Sequence, residues 1–257
     1  MCRRSAPNTT YYTLFALTLI LAHPRAVRAD EVLVAVAANF SQPMEVLAAD
    51  FTQKTGHRAV LSPGSTGKLY AQISHGAPYE VFLAADEAVP ARLVTDGLAN
   101  ANQVFVYAVG RLALWSPDPQ QVDAQGDVLS RGNFRHLAIA NPLTAPYGAA
   151  AIRTLEHLGF TDSLKGRLVE GESITQAFQF VSTGNAELGF VALSQIQQDE
   201  QPIAGSYWLV PDTLHSPIRQ AAVLLKRGEE NEAARSLVNY LQSNEAKATI
   251  RRFGYSF

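Results

Sequence analysis

Residues 59–74 read AVLSPGSTGKLYAQIS, and the reading of this stretch decides the fold. An apolar run, Ala59-Val60-Leu61, enters a turn containing Gly64, Ser65, Thr66 and Gly67, and Lys68 to Ser74 then reads as a helix ending at Gly76. Glycines, hydroxyls and a lysine suggest a phosphate loop, but the spacing excludes a nucleotide. A Walker A loop places four residues between its first Gly and the Gly-Lys pair, with Ser or Thr after the Lys. Here only Ser65 and Thr66 separate Gly64 from Gly67, and Leu69 follows Lys68. What remains is a strand running into a helix start. Such a turn points unpaired N–H groups and the positive dipole end at whatever lies in front of it. Many structural turns share that form, so this one alone does not establish a site.

The same unit recurs along the chain. Val32 to Ala37 reads as a buried strand, and Ser41 to Thr55 as a helix ending at Gly56 with Met44, Leu47, Ala48 and Phe51 as its apolar stripe. Strands are expected at 57–61, 81–84, 105–109, 112–115, 136–140, 188–191 and 221–225. Helices are expected from Asp86 to Gly97, Gly148 to Leu158 and Ser173 to Ser182, with a helical tail from Glu229 to about Arg252 carrying Ala233, Leu237, Tyr240 and Leu241 on one face. This alternation is α/β, a mainly parallel sheet covered on both faces. Ser116 to Asn133 is polar and contains Pro and Gly, and reads as a surface loop.

The N-terminus reads as an export leader over 1–29. Arg3-Arg4 precedes an apolar stretch from Tyr11 to Ala22, and Val27-x-Ala29 supplies a cleavage signature. The apolar stretch is too short to span a bilayer. Cleavage would remove Cys2, the only cysteine, so the mature chain of about 228 residues has neither disulfide nor thiolate ligand. Without Arg3, Arg4, Arg25 and Arg28, 17 basic residues face 23 acidic ones, a net charge of −6. That balance argues against nucleic acid and acidic membrane surfaces.

Four turns share one character. They are Ala38-Asn39, with Asn39-x-x-Gln42 resembling a capping box; Ser65-Thr66; Pro146-Tyr147-Gly148; and Gly171 to Ile174, with Ser173-x-x-Gln176 as a second capping box. Capping alone would explain each of them. Apart from Lys68, Glu170 and Glu172, however, they carry only small, hydroxyl or amide residues. Neutral donors suit a fully ionised tetrahedral oxyanion and offer no acceptor to a protonated one. Six or so charge-assisted hydrogen bonds, each netting roughly 1.5–3 kcal/mol, would hold such a dianion tightly.

Other chemistries have less support. His57, His75, His136, His157 and His215 show no HxH or HExxH spacing, so no bare-cation metal site is expected. No GxSxG elbow makes Ser65 a nucleophile. Glu170 and Glu172 fit a solvated turn, Asp86-Glu87 a helix cap, and Trp115 and Trp208 packing positions.

The order AANF, SPGSTGKLYAQISHGAPYEVFLAADE, NPLTAPYG, VEGESITQAFQFVSTGNAELGFVAL resembles the periplasmic molybdate-binding proteins, the solute receptors of molybdate ABC importers. The resemblance runs through nearly all of the mature chain. It implies the two-lobed type II periplasmic-binding-protein fold, with 30–109 plus 215–257 as lobe 1, 110–214 as lobe 2 and the ligand cleft between them. It further implies a periplasmic, monomeric, non-enzymatic receptor for molybdate or tungstate, without a cofactor, that docks on an inner-membrane ABC permease. Carried over residue by residue, Asn39 donates from side chain and backbone with Ala38 beside it, and Thr66 donates hydroxyl and N–H with Ser65 adjacent. Tyr147 and Ile174 donate backbone N–H groups. Many members have Ser where Asn39 stands, and several have a donor Tyr where this chain has Ala192. Receptors for sulfate, thiosulfate or a small organic anion, and an enzyme on the same fold, are the alternatives. A carboxylic acid would call for an Arg fork, and Arg153 is the only arginine close to the turns in sequence.

Overall fold

The computed structural model describes residues 1, 30–197, 201 and 203–257, so the apolar stretch and cleavage signature of the expected leader lie outside the described residues. The chain begins with β1 (Glu31–Ala37), a 3₁₀ turn over Ala38–Phe40, α1 (Ser41–Thr55), β2 (Arg58–Gly64), α2 (Thr66–Ser74), β3 (Val81–Leu83), α3 (Ala88–Thr95) and β4 (Ala99–Gly110). Past Arg111 come β5 (Leu112–Ser116), α4 (Val128–Arg131), β6 (Leu137–Ala140), α5 (Pro146–His157), α6 (Thr161–Leu164) and β7 (Leu168–Gly171). Then follow α7 (Ile174–Ser182), β8 (Leu188–Ala192), α8 (Leu193–Ile196) and β9 (Ser206–Leu209). The chain returns through β10 (Ile218–Leu225), α9 (Glu232–Leu241) and α10 (Asn244–Arg252).

Two sheets result, ordered β2-β1-β3-β10-β4 and β7-β6-β8-β5-β9. β1 is parallel to β2 and β3, and β6 is parallel to β7 and β8. Each sheet holds one strand of opposite direction, β10 in the first and β5 in the second. Each of these is the strand that follows a crossing between the sheets. The expectation of mainly parallel sheets therefore holds, with the exceptions placed at the crossings.

Burial on both faces explains the apolar strands. β6 (LAIA) and β8 (LGFVA) are buried at every residue. Met44, Leu47, Ala48 and Phe51 of α1 pack with Ala233, Leu237 and Leu241 of α9 on one face of the first sheet. Leu69 and Ile73 of α2 and Leu93 of α3 cover the other. Each large apolar side chain so buried contributes about 1.5–3 kcal/mol.

Three expectations change. The tail is two helices, because Ser243 Oγ accepts from the Ala246 N–H (3.1 Å) and starts α10 afresh. The 116–133 segment is more than a surface loop: it buries Val122, Val128 and Leu129 and contains α4. Its centre is Asp123, whose carboxylate accepts from the N–H groups of Gln125, Asp127 and Val128. β9 was not expected; it pairs with β5 and buries Trp208.

Glu187 fastens the start of β6. Its carboxylate accepts from the N–H groups of Arg135 (3.3 Å) and His136 (2.9 Å) and from Arg135 Nε (3.0 Å). Burial pushes this carboxyl up, but the His136 N–H and the Arg135 guanidinium outweigh it and bring the pKa down to about 2. A carboxyl acidified by folding stabilises above its ordinary value of 4.5, and that contribution is lost as pH falls through about 2. Glu187→Gln is therefore expected to lower the urea midpoint at pH 7, with the gap to the parent protein narrowing steadily from pH 5 to pH 3. A gap that stays constant over that range would mean that the ionised carboxylate is not its source.

Candidate functional site

The parallel strands of both sheets aim their carboxyl ends at one place. β1 lies between β2 and β3, and β6 between β7 and β8, so strand order reverses at β1 and again at β6. Such reversal points open crevices suited to ligands. Between them lies a small cavity bordered by Ala37, Ala38, Asn39, Ser65, Thr66, Ala85, Ala145, Pro146, Tyr147 and Ile174. The structure thus brings together all six residues expected from the sequence, two from each turn of the first sheet and one from each turn of the second.

Each turn is built for close approach. Thr66 opens α2 and is 1% exposed; its Oγ1 accepts from the Ala85 N–H (3.0 Å), which leaves the hydroxyl proton to donate elsewhere. Ser65 precedes it as a buried residue whose Oγ has no hydrogen-bond partner. Buried hydroxyls are seldom left unpaired, so an orphan lining a cavity points to a ligand. α5 starts with Pro146 at its first position, as the sequence suggested. The same turn requires Gly148, because a Cβ there would lie 2.1 Å from the Ala140 carbonyl oxygen at the end of β6. At α7 the Ser173 Oγ accepts from the Gln176 N–H (3.3 Å), while Gln176 Oε1 accepts from Glu172 rather than from Ser173. The reciprocal cap is therefore displaced by one residue. Ile174, first in α7, has an N–H with no partner inside the helix.

Asn39 behaves differently from a cap. No side chain caps α1. Instead Asn39 Nδ2 donates to Gln220 Oε1 (2.8 Å) and to Tyr255 Oη (3.0 Å), which uses both of its hydrogens. What Asn39 has left for the cavity is its main-chain N–H. Gln220, Tyr255, Tyr107 and Ser194 escaped the sequence reading, yet they form a buried polar layer behind the cavity.

The cavity lining carries no cation. Lys68 is turned away and pairs with Glu172 across the cleft. Further bonds join the two halves, among them Gly67 N–H to the Thr144 carbonyl (2.9 Å), Thr175 Oγ1 to the Ala38 carbonyl (3.3 Å) and Ser194 Oγ to the Asn39 carbonyl (2.8 Å). The two halves are thus closed on one another. Burial pushes the hydroxyls of Tyr107 and Tyr147 well up, and that of Tyr255 up to about 12, so all three remain neutral donors and acceptors. Asp86 follows the cavity-lining Ala85, and burial raises its carboxyl; its Oδ1 accepts from the Val89 N–H (2.8 Å) at the start of α3, as the sequence suggested.

A second, wider opening of about 500 Å³ lies beside the cavity, and Arg153 and the Arg219–Glu87 pair line it. Arg153 does not border the smaller cavity. Glu170 is exposed on β7. Ala192 ends β8 outside the cavity lining, and its N–H donates to Gln195 Oε1 (3.0 Å). Among the described residues no group of three His, Cys, Asp or Glu is placed to hold a metal ion. His57 accepts from the Asp30 N–H (3.2 Å), and His215 is buried with Nδ1 against the Ser216 carbonyl (2.8 Å) and Nε2 unpartnered. Trp115 and Trp208 are both packed, Trp115 donating Nε1–H to the Ala204 carbonyl (2.8 Å).

Comparison with known proteins agrees with this geometry. A profile for bacterial extracellular solute-binding proteins matches residues 32–256. The molybdate-binding protein ModA of Azotobacter vinelandii is 54% identical over 230 residues, covering 90% of this chain and 91% of that protein. ModA of Rhodobacter capsulatus is 49% identical over 243 residues, covering 95% and 94%. The solved periplasmic molybdate-binding protein of A. vinelandii superposes with a TM-score of 0.86 at 44% identity, covering 88% of this chain and 99% of that one. The two sheets with their helices are the lobes of the type II periplasmic-binding fold, and the chain belongs to the bacterial extracellular solute-binding protein family.

Proposed function

We propose that this chain is a periplasmic receptor that binds molybdate, and tungstate with it, and delivers the anion to an inner-membrane ABC permease. In this reading residues 1–29 are a leader removed on export. Residues 30–109 with 215–257 form one lobe and 110–214 the other, and the monomer closes on its ligand without cofactor or turnover. The observation that carries the reading is the pair of buried hydroxyls at 65 and 66, one orphaned and one held as an acceptor by Ala85, in a cavity lined with helix starts and no cation. Main-chain N–H groups at Ala38, Asn39, Tyr147 and Ile174 supply the remaining donors. A group of donors without an acceptor fits a dianion and rejects an anion that carries its own proton. Tungstate matches molybdate in size and charge, whereas the shorter bonds of sulfate leave the same donors too far away. An enzyme would need an acid and a base facing the cavity, and Glu172 is instead paired with Lys68.

Calorimetric titration of the mature, anion-stripped protein is expected to show one-to-one binding of molybdate and tungstate and far weaker binding of sulfate and phosphate. Equal binding of sulfate would reassign the ligand. Thr66→Ala is expected to weaken molybdate binding roughly 10- to 100-fold, as loss of a hydrogen bond to a charged group does. Thr66→Ser, which keeps the hydroxyl, should stay within a few-fold of the parent. Affinity is also expected to be flat from about pH 6 to pH 9, because burial holds the three nearby tyrosines in their neutral form throughout. A drop in that interval would reveal an ionisable group in the site.

A further inference from the structure

Gln220 is a wholly buried polar side chain in the otherwise apolar inner run of β10. The ladder between β10 and β4 slips beside it, Gln220 facing Ala108 while Ala221 faces Val106. The extra residue is Tyr107 on β4, and a bulge of this kind re-aims the side chain it carries, here onto Gln220. Here the carboxamide lies behind the anion cavity. Its Oε1 accepts from Asn39 Nδ2 (2.8 Å) and from Tyr107 Oη (2.9 Å), and its Nε2 donates to Tyr147 Oη (3.2 Å). Asn39 belongs to a turn of the first sheet and Tyr147 to a helix start of the second. One side chain therefore ties two cavity-lining residues across the cleft. Gly110, at the other crossing, makes room for this contact: a Cβ there would lie 2.0 Å from Tyr147 Oη and 2.5 Å from Gln220 Nε2.

We propose that Gln220 is a positioning residue that sets oxyanion selectivity, by fixing the spacing between the main-chain donors of Asn39 and Tyr147. The proposal rests on the oxyanion reading above and adds a determinant to it. An N–H group does not distinguish one tetrahedral oxyanion from another. Distance does, because a hydrogen bond weakens quickly once it is stretched past about 3.2 Å. Gln220 sits in the first sheet, so its bond to Tyr147 exists only when the lobes are closed. In that state it limits how far the two donor turns can separate. The ionisable groups around Gln220 are Tyr107, Tyr147 and, behind Asn39, Tyr255, with the Asp86 carboxyl close enough to act on Tyr107.

The test uses the parent protein, Gln220→Glu and Tyr147→Phe. Each is titrated with molybdate, and with sulfate by competition, at pH 5.5, 7.0 and 8.5, with a thermal melt at each pH. A buried Glu titrates above its ordinary range. Protonated, it keeps both the acceptor and the donor of the amide; ionised, it loses the donor and places a charge beside the anion. Gln220→Glu is expected to bind molybdate within about threefold of the parent at pH 5.5 and at least tenfold more weakly at pH 8.5, while the parent stays flat. Tyr147→Phe keeps its main-chain N–H and loses only the hydroxyl that Gln220 holds. Its molybdate affinity is expected to fall roughly three- to tenfold with a smaller loss for sulfate, so the molybdate-to-sulfate ratio shrinks. The charge of an ionised Glu weakens molybdate and sulfate alike, and a merely structural role lowers the melting temperature without moving the ratio, so the molybdate-to-sulfate ratio decides. An unchanged ratio in Tyr147→Phe, and in folded Gln220→Glu at each pH, overturns this proposal alone. If Gln220→Glu does not fold, the ratio in Tyr147→Phe decides by itself. A parent protein that binds neither anion overturns the oxyanion reading and this proposal with it.

Discussion

A doubly charged anion stripped of water has to be held by hydrogen bonds alone when no cation faces it. That constraint organises the rest of the molecule. A single helix start offers only a few main-chain donors, so several must converge. Two mainly parallel sheets with the carboxyl ends of their parallel strands opposed supply four such turns, at the ends of β1, β2, β6 and β7. Both crossings leave a reversed strand, β5 or β10, inside the sheet that follows, and the crossings leave the two halves free to close. The chain's net negative charge makes this arrangement necessary in practice, since attraction has to be generated within the first turn of each helix, where the dipole acts.

Behind the donors lies a second constraint. Main-chain N–H groups are positioned only as well as the turns that carry them, and the turn at Ala38–Phe40 is short and uncapped. The polar layer of Asn39, Gln220, Tyr107, Tyr147, Tyr255 and Ser194 compensates. Ser194 and Tyr255 donate to the Asn39 carbonyl (2.8 and 2.9 Å), while Gln220 and Tyr255 accept from its amide. The layer holds no charge, so it rigidifies the cavity wall without opposing the anion. Each of its bonds is short in space and long in sequence, Asn39 meeting Gln220 across 181 positions and Tyr255 across 216.

That separation explains what the sequence disclosed and what it withheld. Helix starts are local signals, and Ser65-Thr66, Pro146-Tyr147-Gly148 and the Gly171 to Ile174 turn could be read because cap, glycine and strand lie within ten residues. Ala38-Asn39 was found for a partly mistaken reason: the Asn39-x-x-Gln42 spacing imitates a capping box, whereas the amide bonds to side chains far along the chain. Gln220 did leave a trace, as the one polar residue between Ile218 and the run Ala221 to Leu225 apart from solvent-facing Arg219. Nothing local says what a lone buried amide touches. The 116–133 loop failed differently, since its order comes from the Asp123 carboxylate gathering backbone N–H groups, a fold of the loop on itself that has no hydrophobic period.

Selectivity follows from the same geometry. Charge and hydrogen-bond type reject protonated anions, and every pocket made of donors alone shares that property. Size is a separate problem, because sulfate and molybdate present the same four oxygens and the same charge. Only the distance between opposing donors separates them, and that distance depends on how firmly the closed lobes are held at a fixed spacing. Surface contacts across the cleft, such as the exposed Lys68–Glu172 pair, are worth little in water and tolerate displacement. A buried amide with donor and acceptor both engaged tolerates much less, since any shift leaves a polar group unpaired in a dry interior at a cost of about 1–3 kcal/mol. The gauge that measures the anion is therefore best placed in the wall behind the cavity, where Gln220 meets Asn39 and Tyr147.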